Sequence, residues 1–195
     1  MAKIDKSVKI KNLKTGLKSS IVPSQAKGNE GNVGKWYEIQ LKENGFPMNS
    51  KHGIDIPDLG LEVKTRKLGS KAHHTTGNMT YNNIVNTPYK ESTIFQKLQQ
   101  QNRMEYDNDL NTIVEETVYD FRDPEIQKKI EESYENGRRL LREAGGVVEG
   151  TVVGGEYGVF EYKEGNSYAH RIPDSGMRKL KGMSKSVVND IFKFE

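Results

Sequence analysis

The stretch GIDIPDLGLEVKT, residues 53–65, admits few backbone paths. Proline has a locked φ that suits the second position of a tight turn, and glycine suits the last, so Pro57-Asp58-Leu59-Gly60 reads as the turn of a hairpin. An extended piece ending at Ile56 and a strand starting at Leu61 flank it, and a turn centred on 58–59 sets Ile56 opposite Leu61 and Asp55 opposite Glu62. Facing residues on paired strands hold their Cβ atoms roughly 4.5–5.5 Å apart. Side chains alternate along a strand, so Glu62 and Lys64 share one face while Leu61, Val63 and Thr65 turn toward the core. The hairpin thus gathers Asp55, Glu62 and Lys64 and leaves Asp58 at its tip.

Two facing carboxylates repel each other, and a bound divalent cation reverses the sign of that interaction. Mg²⁺ takes hard oxygen ligands, accepts one or two carboxylates and leaves its other positions to water and phosphate oxygens. An adjacent lysine neutralises charge that builds on a phosphate, or helps to deprotonate a water. That is the equipment of phosphodiester hydrolysis. The residues alone also permit a surface hairpin with ordinary solvated charges and a turn aspartate.

DIPDLGLEVKT (55–65) resembles the active-site hairpin of the MutH-like nicking endonucleases and related restriction enzymes, within the PD-(D/E)xK nuclease superfamily. The family pattern is an aspartate, six residues, then Glu-x-Lys-Thr, with Leu-Gly before an apolar residue and the glutamate. It registers Asp55, Leu59-Gly60, Glu62, Lys64 and Thr65, and leaves Asp58 on the turn. Upstream, GNVGKWYE is similar to the family's Gly-x-x-Gly-x-x-x-Glu and ends at Glu38, whose counterpart is an active-site acid on a helix. Downstream, STIFQKL resembles a short helix bearing a second active-site lysine, here Lys97. The likeness spans 31–98, about a third of the chain, and departs from the family at Glu30, where basic residues are common. It implies a restriction-endonuclease-like core, a central mixed sheet flanked by helices. It further implies Mg²⁺ held by Asp55 and Glu62 with the Val63 carbonyl, Lys64 assisting the attack of water on phosphorus, and Glu38 and Lys97 in support. Duplex DNA is then the partner, nicked by a monomer or cut on both strands by a homodimer.

The chain's 195 residues, 33% hydrophobic and 29% charged, suffice for one domain with a modest core. The absence of cysteine excludes disulfides and thiolate-held metals. No apolar run approaches the roughly 18 residues of a membrane span, and the lysine-rich start lacks the apolar segment of a signal peptide, so an intracellular, cytoplasmic protein is expected. Residues 1–27 hold seven lysines against Asp5 alone and read as a basic arm, with a single domain over 28–195. Segregated positive charge suits a polyanion or simply keeps a tail solvated.

The remaining pattern predicts an α+β or α/β domain around one sheet. Helices are expected over 31–43, with Val33, Trp36/Tyr37, Ile39 and Leu41 on its apolar side, over 91–100, and over 124–144, the last capped by Asp123 and opened by Pro124. Ser184 reads as the cap of a last short helix. Strands are expected over 78–85, 111–121, 147–153, 157–163 and 167–172. Arg66, Lys67 and Lys71 in the polar stretch after the hairpin, and Arg171 at a strand end, are candidate DNA contacts or parts of a mobile polar loop and a solvated face. His73-His74 lack a third ligand at metal spacing, and His52 reads as a surface residue. Two other functions remain open: a non-catalytic nucleic-acid-binding module that keeps the hairpin for structure, and an enzyme acting on RNA or single strands.

Overall fold

The structure, a computed structural model, describes residues 30–49, 53–109 and 112–191. The arm over 1–27 and His52 lie outside the described residues. The chain divides into two compact units, each described by itself. Of the described residues, the first unit gathers those up to Ser70 with those of Gln100–Tyr119, and the second gathers Lys71–Gln99 with 120–191.

In the first unit, helix α1 (Glu30–Glu43) lies against a three-stranded sheet of β1 (Glu62–Lys67), β3 (Gln100–Asp107) and β4 (Thr112–Asp120), in the order β1-β3-β4. β1 and β3 run parallel. β3 and β4 are joined by residues 108–111, too short a link for a parallel crossover, so the sheet is mixed. Val33, Tyr37 and Leu41, spaced by four, form the buried stripe of α1, whereas Ile39 is exposed instead of joining it. Tyr37 donates its hydroxyl proton to Glu116 and accepts from Asn102 Nδ2 at 2.8 Å, which ties the helix to β4 and β3. Burial first, and then the Glu116 charge, hold the Tyr37 phenol far above its ordinary pKa.

The second unit is built on an antiparallel sheet of β2 (His74–Thr80), β5 (Thr151–Gly155), β6 (Gly158–Tyr162) and β7 (Ser167–Ile172), in the order β2-β7-β6-β5. Short helices α2 (Tyr81–Asn86) and α3 (Thr93–Lys97), the long α4 (Pro124–Ala144) and α5 (Asp174–Ile191) complete it. The Asp123 carboxylate accepts from the N–H groups of Glu125 and Ile126 at the start of α4, and Gly145 ends it in the left-handed conformation. Ile126, Ile130, Tyr134 and Leu141 are its buried stripe. The helix touches β5 backbone to backbone: a Cβ on Gly154 would stand 2.0 Å from the Ser133 carbonyl oxygen.

Two sheets thus stand where the pattern predicts one, because β1 pairs with β3 while β2 pairs with β7. The strand predicted over 78–85 ends at Thr80, whose hydroxyl accepts from Asn83 N–H and opens α2; a local cap overrides β-propensity. The helix predicted over 91–100 contracts to Thr93–Lys97, and Gln100 begins β3, a strand the pattern does not reveal. β5 begins at Thr151, not 147. The last helix starts at Asp174, and Ser184 lies buried within it, accepting from Asp120 N–H at 3.0 Å instead of capping an end.

Candidate active site

The turn at 57–59 folds as one 3-10 turn opened by Pro57 and closed by Gly60, whose φ of +62° lies in the left-handed region that glycine enters at least cost. Leu59 and Gly60 donate to the carbonyls of Ile56 and Pro57. Ile56 and Leu61 form an antiparallel bridge, exchanging bonds of 2.9 and 3.1 Å, and with Leu59 they are buried. This apolar bracket fixes the residues just outside it.

Those residues are Asp55 and Glu62. The Val63 N–H donates to Asp55 Oδ2 at 2.8 Å, and the Asp55 N–H donates to Glu62 Oε2 at 3.3 Å. Lys64 Nζ lies 3.1 Å from Glu62 Oε1; the lysine side chain is 24% exposed and the glutamate side chain 2%, so the lysine is the member of the pair that reaches solvent. Asp58 is exposed at the turn. Glu38, on α1, is open to solvent, yet its carboxyl is held above the usual carboxylate range, by partial desolvation first and then by the charges of Asp55 and Glu62; Lys64 and Lys35 pull the other way. The structure therefore brings Asp55, Glu62, Val63, Lys64 and Glu38 into one neighbourhood.

Lys97 belongs to the second unit, at the end of α3, with its methylenes beside Gly77. Arg66, half-buried on β1, donates from Nη2 to the Ser70 carbonyl at 2.8 Å. Lys67 and Lys71 are exposed. Arg171, read from the pattern as a DNA contact, stands 2.9 Å from Glu161 Oε2 across adjacent strands, so its charge is already matched within its own sheet. His73 is exposed whereas His74 is buried 2.8 Å from Asp174, so the adjacent histidines diverge.

Pattern reading missed the neighbouring strand. In the parallel register Glu62 pairs with Gln101 and Lys64 with Arg103, and paired residues of adjacent strands project to the same face. Gln100, Gln101, Asn102 and Arg103 are all buried, and Arg103 Nη1 donates to Gln101 Oε1 at 2.6 Å. The signal was the polar run QQNR in a segment that has to cross a core.

A scan of the chain against known family models finds no match, and a search of curated proteins finds none either. Among the described residues, no three His, Cys, Asp or Glu side chains are grouped so as to hold a metal ion unaided. Two opposed carboxylates beside a third acid are instead an incomplete set of hard oxygen donors, the kind Mg²⁺ accepts because it keeps its other positions for water and phosphate. The donor set fits that ion and suits zinc poorly, since zinc favours nitrogen and sulfur. None of the described helices is long and apolar enough to cross a membrane.

Proposed function

We propose that the first unit carries a Mg²⁺-dependent endonuclease site that hydrolyses phosphodiester bonds of duplex DNA on a restriction-endonuclease-like core. The observation that carries this reading is the convergence of Asp55, Glu62 and Lys64 around a turn whose own bonding aims them together. The MutH-like pattern of 55–65 supports the same assignment, and a helix packed on a mixed sheet whose first strand bears Glu62 and Lys64 is compatible with such a core. Asp55 and Glu62 would hold the cation, which when bound supplies positive charge against the phosphate.

The protein groups divide the remaining work. The Val63 N–H orients the Asp55 carboxylate. Lys64, the partly exposed member of the pair, can meet negative charge developing on phosphoryl oxygens. Glu38, with its raised pKa, accepts a proton more readily than a free carboxylate does. Exposed Lys67 and Lys71 offer phosphate contacts. One site cuts one strand, so a monomer nicks and a two-fold dimer cuts both.

A second reading, a nucleic-acid-binding module without catalysis, draws on the internal satisfaction of Glu62 by Lys64 and by the Asp55 N–H. Incubating the purified chain with supercoiled plasmid in Mg²⁺ or EDTA separates the two. Relaxed circles or linear fragments that form only with Mg²⁺ support the endonuclease. Intact plasmid under both conditions, with binding that weakens steeply in salt, supports the module.

A further inference from the structure

Two contacts fix how α1 lies on its sheet. A Cβ on Gly34 would stand 3.4 Å from Thr65 Oγ1 of β1, so the helix meets that strand with almost no side chain between them. Three residues on, the Tyr37 hydroxyl accepts from Asn102 Nδ2 at 2.8 Å, and Asn102 is the register partner of Val63. The helix therefore passes Thr65 first and the level of Val63 second, antiparallel to β1. Helical side chains lean toward the helix N-terminus, which carries the Tyr37 Cα past the level that its hydroxyl marks. Glu38, the next residue, is thus carried toward the end of β1 that starts with Glu62. The raised pKa of its carboxyl agrees with that placement: after desolvation, the charges of Asp55 and Glu62 push it up, against Lys64 and Lys35.

The Tyr37 hydroxyl commits its proton to Glu116 on β4 and accepts the Asn102 amide from β3, and all three side chains are buried. Hydrogen bonds are directional, whereas the apolar contacts of Val33 and Leu41 are not, so this hydroxyl resists a slide of the helix along the sheet that the apolar stripe alone would permit. We propose that Tyr37, held by Asn102 and Glu116, is a positioning residue of the carboxylate site: it sets the register of α1 on the sheet and so the place of the Glu38 carboxyl against Asp55 and Glu62. The inference rests on the reading of that cluster as the endonuclease site and extends it to the inner face of α1. A displacement of about 1 Å at a reacting group can cost about 10²-fold in rate.

The test reads the Glu38 carboxyl by NMR titration of the intact, metal-free chain, beside plasmid nicking in Mg²⁺. Tyr37→Phe keeps the ring and removes both hydrogen bonds. It should move the Glu38 midpoint down toward the ordinary carboxylate range and lower kcat about 10-fold or more, with KM for DNA unchanged. Glu116→Met should do the same, and Glu116→Gln, which keeps an oxygen for the Tyr37 proton, should recover most of both losses. If Tyr37→Phe fails to fold, Tyr37→Phe combined with Glu116→Met removes donor and acceptor together and should show the same shift. A hydroxyl that served stability alone would lower the denaturation midpoint and leave the Glu38 titration and the kcat of the folded protein as they were; that result overturns the proposal. A downward shift of the Glu38 midpoint, in a protein that never nicks DNA, leaves the positioning standing while the endonuclease reading falls.

Discussion

Around the turn of the first unit, Glu38, Asp55 and Glu62 are set against Lys64 and Lys35, and the crowding helps to push the Glu38 carboxyl above its ordinary range. The second unit treats its carboxylates differently. Asp174 lies between His74 and Arg178, at 2.8 and 2.9 Å, and Glu161 lies between Lys163 and Arg171, at 3.3 and 2.9 Å. Each of those acids is flanked by two basic groups, and the arrangement is complete as folded. The turn instead retains repulsion that folding alone does not require. The bracket of buried Ile56, Leu59 and Leu61 holds these charged groups close together.

The comparison breaks most visibly if the two kinds of cluster respond alike to mutation. Glu62→Ala or Lys64→Ala should lower the plasmid nicking rate at least about 10²-fold while DNA affinity measured in EDTA stays within a few fold. Asp174→Asn should act the other way. Removing the charge between His74 and Arg178 should cost about 3 kcal/mol in a urea melt, with the nicking rate of the folded fraction unchanged. A stable Asp174→Asn protein that no longer nicks would place function in the second unit and erase the distinction.

A smaller effect separates the units by pH. His170 is wholly buried between Tyr134 and Phe160, and burial pushes its imidazole down to about 3. The unfolded chain takes up this proton near pH 6.5 and the folded chain does not, so stability from this group is full above that pH and drains as pH falls toward about 3. The second unit should be about 2 kcal/mol less stable at pH 5 than at pH 7, and His170→Phe should flatten that slope in denaturant melts at the two pH values.

What could be read from the chain follows how local the determinants are. Asp55, Glu62 and Lys64 were accessible because Pro57, Gly60 and a two-residue alternation carry their own geometry. Likewise α4 shows both ends through Asp123, Pro124 and Gly145. The split into two sheets was hidden, since it depends on β1 choosing β3 some forty residues away and β2 choosing β7 still farther off. Thr80 misled because its hydroxyl caps a helix in a stretch whose composition favours a strand. Ser184 misled in the opposite sense: a residue that suits a helix start instead satisfies a remote N–H from inside α5. Gln101 and Arg103 escaped notice because polar side chains become informative only once their strand is known to be buried and central.

The central claim is that Asp55, and not the neighbouring Asp58, shares a cation with Glu62. Nicking of supercoiled plasmid in Mg²⁺ by Asp55→Asn and by Asp58→Asn, run beside the unaltered protein, tests it most directly. Relaxed circles from the unaltered chain and from Asp58→Asn, and none from Asp55→Asn, are the predicted result. Equal loss in both variants, or plasmid left intact by all three, would contradict it.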